Sequence, residues 1–391
     1  MKKFLLYILF SVGLVSHAQF GALSDAAEVS ILTIGPGKEL YDKFGHSAFR
    51  VKDSLSGVDV VFNYGVYDFN QPHFYLRFAQ GTMLYELGVA YYHDFYQNYV
   101  AENRWIKEQI LNLTKEEKQA VSDFLWINAR PENKQYRYDY FYDNCATKIR
   151  DVLKVTLGDR LEYNYDYIDS IYTFREHIHN HVNQNSWGSL GIDLALGAPI
   201  DKDATPEEYQ FLPEYVYLSA ENAVIYHNDG PESLVKKERT LFDNNPQPKE
   251  SSFFTSPLFI FGILGLLIIG ITVMDIKKEK RSRWLDVSIF LITGLFGIFL
   301  FLLWVATDHS AAAYNYNMLW AFPLSVFAVI AASRPGISGG FRKYVSMLVI
   351  FLSLLIIHWI TGVQKFSVGI IPLLAGLAVR YIYLLRISRR A

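Results

Sequence analysis

The stretch SPLFIFGILGLLIIGITVMDIKKEKRSR, residues 256–283, divides this chain into two unlike parts. Residues 257–274 carry no charge, and five cations follow closely: Lys277, Lys278, Lys280, Arg281 and Arg283. An apolar run of that length approaches the ~20 residues needed to cross a ~30 Å hydrocarbon core. Four more apolar stretches lie beyond it. Transmembrane helices are therefore expected at about 257–275, 286–306, 317–333, 344–362 and 367–385, the third and fourth being short. Basic residues recur after the third stretch (Arg334, Arg342, Lys343) and the fifth (Arg386, Arg389, Arg390). The intervening loops, 307–317 and 361–367, hold a single one, Lys365. Positive loops stay in the cytoplasm. The expectation is a membrane domain, residues 257–391, that is entered from outside and has its C-terminus inside.

Outward from this stretch, residues 246–256 read as a polar, proline-containing linker. At the other end, Met1-Lys2-Lys3 precedes an apolar run from Phe4 to Val15, then Ser16-His17-Ala18. A basic start, a short apolar core and small residues at the cleavage positions describe a signal peptide over residues 1–18. An uncleaved anchor is the other reading, although the run is short for a span. Either way, residues 19–245 are expected outside the cytoplasmic membrane. The net charge of -2 argues against a nucleic-acid partner, since no large basic face is implied.

The outer part reads as α+β. Residues 28–34 alternate and are β-branched, and 47–52 and 58–64 form a strand pair around the turn 53–57. Residues 84–90 and 103–112 are further strand candidates. Thr114-Lys115-Glu116-Glu117 is a capping box that opens a helix. A second helix is expected from Asn144 to Leu157, and a third over 167–183. A small antiparallel sheet with helices packed on it accommodates this pattern.

Cys145 is the only cysteine. Structural cysteines in an oxidising compartment usually come in pairs, and a lone one makes no internal disulfide. Its context is Asp143-Asn144-Cys145-Ala146-Thr147. Asn144 is a good N-cap, which puts Cys145 at a helix start, where a thiolate is favoured. The thiol is thus a candidate nucleophile; the plain alternative is a small buried core residue. A thiol nucleophile needs a base. His46 stands in Phe44-Gly45-His46-Ser47-Ala48-Phe49-Arg50 at a strand start, where a histidine can also be merely structural. Asn63, in Phe62-Asn63-Tyr64-Gly65, lies on the neighbouring strand and could orient the imidazole, or be an ordinary strand-end residue. The oxyanion hole would use the Cys145 N–H and one side-chain donor that the sequence does not identify. His177, His179 and His181 alternate, but on a helix only the first and third share a face, and no further ligand follows at metal spacing. No metal or other cofactor is expected. Tyr136, Tyr138, Tyr140, Phe141 and Tyr142 are expected to wall a pocket, pack the core or sit at headgroup level.

A GHSAF-type histidine, then NYG, then DNCAT at a helix start resembles the permuted papain-like fold, in which the histidine strand precedes the cysteine helix. That order is found in lecithin:retinol acyltransferase and its bacterial relatives of the NlpC type. The whole chain resembles the Lnb family of lipoprotein N-acyltransferases. The likeness extends to the membrane part, through Thr307-Asp308-His309, Asn315-Tyr316-Asn317 and Leu319-Trp320-Ala321-Phe322-Pro323. The resemblance implies a periplasmic papain-like domain over 19–245 and acyl transfer from a phospholipid donor to the N-terminal amine of a diacylglyceryl-cysteine lipoprotein. It also implies a multi-pass protein of the inner membrane, with Cys145, His46 and Asn63 in the catalytic roles. Tyr64, Asn144, His309, Asn315, Asn317 and Trp320 are candidates for substrate binding or positioning. The rival readings are a membrane-anchored cysteine hydrolase of the same fold and a non-catalytic membrane scaffold.

Overall fold

The computed structural model describes residues 21–245 and 252–387. The signal-peptide expectation, part of the linker and the last two arginines lie outside the described residues.

A seven-stranded antiparallel sheet is the frame of the outer domain. Its first strands are β1 (Glu28–Ile34), β2 (His46–Asp53) and β3 (Val58–Val66). Helix α1 (Phe74–Gln80) leads into β4 (Leu84–Tyr91), and α2 (Tyr92–Ala101) into β5 (Ile106–Leu111). After α3 (Lys115–Asn128) come the short β6 (Gln135–Arg137) and α4 (Cys145–Leu157). A small second sheet joins β7 (Leu161–Glu162), β8 (Val224–His227) and β9 (Gly230–Ser233). Between β7 and β8 run α5 (Phe174–His181), α6 (Trp187–Ala195) and α7 (Pro213–Glu221). Strand β10 (Val235–Phe242) returns to the large sheet, whose order is β10-β5-β1-β2-β3-β4-β6.

The local reasons are visible. Thr114 accepts from the Glu117 N–H at 3.2 Å and Glu117 reaches back to the Thr114 N–H at 2.9 Å, so α3 starts where the sequence pattern placed it. Val121 and Leu125 of α3 and Ile149, Val152 and Leu153 of α4 pack with Val29, Ile31, Phe49 and Phe62 of the sheet into one buried core. The helix expected over 167–183 is shorter. It begins only at Phe174, because Thr173 and Glu176 form another capping box, and residues 167–172 stay irregular.

The C-terminal part is helical: α8 (Pro257–Lys278), α9 (Arg283–Val305), α10 (Ser325–Ser333), α11 (Gly339–Ile360) and α12 (Ile371–Ile387). Among the described residues, four helices are long and apolar enough to cross a membrane: Pro257–Lys278, Arg283–Val305, Gly339–Ile360 and Val368–Ile387. The expected continuous helix over 317–333 is instead broken. A 3-10 turn, Tyr316–Leu319, precedes an irregular stretch through Pro323, and α10 has nine residues, about half of a ~30 Å core at ~1.5 Å per residue. Proline disfavours helix in the residue before it. Glycines of α9 accept the irregular backbone: a Cβ on Gly297 would collide with the Ala321 carbonyl, and one on Gly294 with the Val326 amide. Such backbone is tolerated at membrane depth where protein covers it. The segment still runs alongside α9 from its C-terminal end to its N-terminal end. There Arg281 donates to the Ala332 and Arg334 carbonyls, and Arg283 to that of Ser333.

Helix α12 runs parallel to α8, with Gly376 against Gly265 and Arg380 level with Asp275. Arg380 is fully buried and bonds Asp286 at 2.6 Å and Asp275 at 2.7 Å, and Arg281 pairs with Asp286 at 2.7 Å. A buried ion in such a place survives only because its partners saturate it.

Candidate active site

Strands β2 and β3 pair from Asp53–Val58 up to Phe49–Phe62 and no further. Beyond that point they splay, and α4 presents its first residue to the opening. Gly45, at φ 81°, turns the chain into β2, and a Cβ there would press on the Ile34 carbonyl oxygen at 2.7 Å. His46 follows as the first residue of the strand. On β3, the ladder to β4 is regular through Asn63–Gly88 and then shifts before Val66–Glu86. This irregularity contains Gly65, at φ 91°. A Cβ on Gly65 would lie 3.7 Å from both the Cys145 Cβ and the Tyr138 ring, so the bulge carries the strand up to the thiol.

The imidazole of His46 sits between Asn63 and Cys145. Asn63 Oδ1 can only accept, so His46 Nε2–H donates to it at 2.6 Å. That leaves Nδ1 for the hydrogen bond between His46 and the Cys145 side chain. Tyr99 of α2 stacks over the ring at 6.2 Å between centroids. Burial pushes the Cys145 thiol up. The charge and hydrogen bond of His46, with the backbone N–H groups of Ser47 and of Cys145 itself, outweigh that and hold it below its ordinary value. Burial likewise pulls His46 down, and Arg104 adds to this. The Cys145 charge and hydrogen bond, with the bond to Asn63, carry it above its ordinary value. Both directions favour a thiolate–imidazolium pair.

Asn144 caps α4 by accepting from the Ala146 and Thr147 amides at 2.8 and 2.9 Å. Its Nδ2 donates to the Tyr140 and Phe211 carbonyls, so the whole side chain is engaged inside the protein. Tyr64 is buried too, with its hydroxyl on Asn128 at 2.7 Å. The polar atoms of both side chains thus have their partners inside the protein. The sequence reading missed Tyr99 as a neighbour of the thiol, and it offered Tyr138 and Tyr140 as pocket walls without setting them beside Cys145. The Tyr140 hydroxyl is buried without a hydrogen-bond partner, and the Cys145 charge, after burial, raises its pKa. Its closeness in sequence to Cys145 is the one signal that could have singled it out.

Two family models match the chain: the Lnb N-terminal periplasmic domain over residues 19–178 and the Lnb transmembrane domain over residues 248–391. The chain belongs to the Lnb family. It is a multi-pass membrane protein with a periplasmic N-terminal domain. No curated protein and no solved structure matches it. His46, Asn63 and Cys145 all fall inside the Lnb periplasmic match, and His309, Asn315, Asn317 and Trp320 inside the Lnb transmembrane match.

Of those last four residues, His309, Asn315 and Asn317 bond the Lnb periplasmic domain, and Trp320 supports Asn317. Asn315 donates to the Leu194 carbonyl at 2.8 Å, and Asn317 to that of Asp193 at 2.9 Å, both at the end of α6. Trp320 Nε1 donates to Asn317 Oδ1 at 3.0 Å. His309 bonds the Phe78 carbonyl through Nε2 at 3.2 Å, and Asp308 pairs with Arg137 at 2.9 Å. Ser310 reaches Asp139, so the outer loop touches the chain on both sides of Tyr138. Buried Arg175 completes the joint. It binds Asp193 and Asp201, and Asp201 also accepts from the Lys365 N–H.

The three alternating histidines have separate surroundings. His177 is buried among Tyr172, Tyr209 and Tyr215, His179 bonds Asp193 at 2.9 Å, and His181 bonds Glu214 at 3.1 Å.

Proposed function

We propose that this chain is a thiol acyltransferase that moves a fatty acyl chain from a membrane phospholipid to the N-terminal amine of a diacylglyceryl-cysteine lipoprotein. The observation that carries the reading is the polarised Cys145–His46–Asn63 arrangement on a periplasmic domain joined to the outer ends of membrane helices. Membership of the Lnb family supports it.

In the first half-reaction the Cys145 thiolate attacks the ester carbonyl and forms a C–S bond. The tetrahedral oxyanion is met by the Cys145 N–H at the start of α4 and by the Tyr140 hydroxyl, which has no other partner. The C–O bond then breaks, and His46 gives its proton to the departing lysophospholipid oxygen. In the second half, the lipoprotein amine attacks the thioester carbonyl, His46 takes the amine proton, and the C–S bond breaks to return the thiolate. The product is an amide. Asn63 keeps Nε2 protonated and Nδ1 toward the thiol in both halves. The chain itself supplies every proton transfer. The papain-like permutation and a cytoplasmic C-terminus belong to the same proposal. The run of cations at the inner end of α8, with α12 parallel to it, supports the latter.

The test is the intact mass of the purified protein after incubation with phospholipid alone. One added acyl chain on wild type and none on Cys145→Ser is the expected result, since serine lacks the thiol's acidity. An unmodified wild-type mass in a lipid environment that preserves the fold would refute it.

A further inference from the structure

Helix α1 has no buried residue. Large apolar side chains of this helix and of the loop before it stand exposed among polar ones: Phe69 is 66% exposed, Tyr75 81%, Leu76 56% and Phe78 57%. A patch of this kind calls for a partner. Its location identifies one. The Gln80 carbonyl accepts from the Asp308 N–H at 2.8 Å, and the Phe78 carbonyl is bonded by His309. Asp308 stands three residues past Val305, the end of the spanning helix α9. Gly81, the left-handed C-cap of α1 at φ 70°, lies against the His309 ring, where a Cβ would come within 3.1 Å of Nδ1. Helix α1 is therefore held at the level where α9 leaves the hydrocarbon. Its single charged side chain is the cation Arg77, which suits a phosphate headgroup region.

The patch is continuous with the thiol. Phe69 meets Phe74 at 5.0 Å, Phe74 meets Tyr67 at 6.1 Å and Tyr67 meets Tyr85 at 5.6 Å between ring centroids. Tyr85 stacks on Tyr138 at 4.3 Å. Tyr138 and Cys145 flank Gly65, whose missing side chain leaves the gap between them unfilled. A row of rings thus leads from the exposed helix to the nucleophile.

We infer that α1 lies in the outer leaflet of the bilayer that this chain spans, and that the ring path Phe74–Tyr67–Tyr85–Tyr138 guides a phospholipid acyl chain from that leaflet to Cys145. This rests on the acyltransferase reading for its second half only; the seating of α1 in lipid stands by itself. Amphipathic interfacial segments bind through buried apolar area, so charges on the apolar side chains of α1 should lift it out of the leaflet.

The experiment uses the full chain in nanodiscs of phospholipid that bears a diazirine on one acyl chain, in wild type and in Cys145→Ala. Photo-adducts on residues 67–80 in both proteins are expected. Adducts confined to the membrane helices would overturn the seating. The double variant Tyr75→Glu/Leu76→Glu should form acyl-Cys145 from bilayer phospholipid at least about tenfold more slowly. Its Cys145 should still react with water-soluble iodoacetamide at the wild-type rate. Unchanged acylation in that variant would overturn the path. Wild type that never acylates while adducts still fall on 67–80 would sink the acyltransferase reading, and the path with it, but leave the seating in place.

Discussion

His46 and Asn63 are 17 residues apart in the chain and 2.6 Å apart in space, joined across the point where β2 and β3 part. The bond fixes which imidazole nitrogen faces Cys145. Removing it should leave the fold in place, because Asn63 is only partly buried, but let the ring lose its tautomer and orientation. Asn63→Ala should slow acyl-Cys145 formation roughly tenfold, and His46→Ala by at least ~100-fold, the scale of general-base loss. Single-turnover acylation measured by mass spectrometry checks both. A wild-type rate in Asn63→Ala would dismiss it as the orienting group.

The pH profile follows from the two shifts. The Cys145 thiol is held below its ordinary value, so its thiolate persists to lower pH than that of an ordinary thiol. His46 is held above its ordinary value, so the imidazolium that protonates the leaving oxygen persists to higher pH than an ordinary one and is lost as pH rises. Iodoacetamide should therefore alkylate wild-type Cys145 readily at neutral pH. In His46→Ala the rate should drop there and recover only toward the ordinary thiol range near ~8.5. Identical profiles for the two proteins would mean that His46 does not set the thiol's charge.

Asn317 is buried and links α6 to Trp320. Asn317→Ala leaves the Trp320 N–H and the Asp193 carbonyl without this partner, at a cost of about 1–3 kcal/mol. The expected outcome is a lower unfolding temperature in detergent and slower acylation from bilayer lipid, with unchanged alkylation of Cys145. If alkylation falls in step with acylation, Asn317 serves the thiol site itself and not the joint between domains.

His177 gives the periplasmic domain an acid-sensitive point. Burial, with the charge of His181, lowers its pKa to about 4. The unfolded chain, near the ordinary ~6.5, takes up that proton first, so this residue's share of stability falls between about pH 6.5 and 4. The neighbouring His181 acts the other way: despite burial, Glu214 and the His177 carbonyl raise it, so its share is present in acid and lost as pH rises. His177→Phe should therefore lose less unfolding temperature than wild type between pH 7 and about pH 4. Equal losses would place the acid sensitivity elsewhere.

Much of this arrangement was legible in the sequence where local rules coincide with the final structure. The capping box at Thr114 and the N-cap at Asn144 fix helix starts from a few adjacent residues, and the apolar stretches announce the membrane domain. Long-range assembly was not legible. Nothing local in Asn315 or Asn317 tells that they reach carbonyls more than 120 residues back, so their polarity reads equally well as substrate contact. Tyr64 adjoins Asn63 in sequence, but alternation along the strand turns its side chain into the core. The stretch 317–333 has the hydropathy of a span, and hydropathy is blind to the glycine faces of α9 that receive a broken helix. Helix α1 escaped notice because its aromatic residues show no buried face.

The most direct measurement of the central claim follows one acyl chain through both half-reactions. Purified protein charged with labelled phospholipid is given a diacylated lipopeptide with a free N-terminus, or its N-acetylated form. The account predicts a hydroxylamine-sensitive label on Cys145 that passes to the free lipopeptide as a hydroxylamine-resistant amide and stays on the enzyme with the acetylated one. Free fatty acid released at the same rate with and without lipopeptide, or transfer that survives Cys145→Ala, would contradict it.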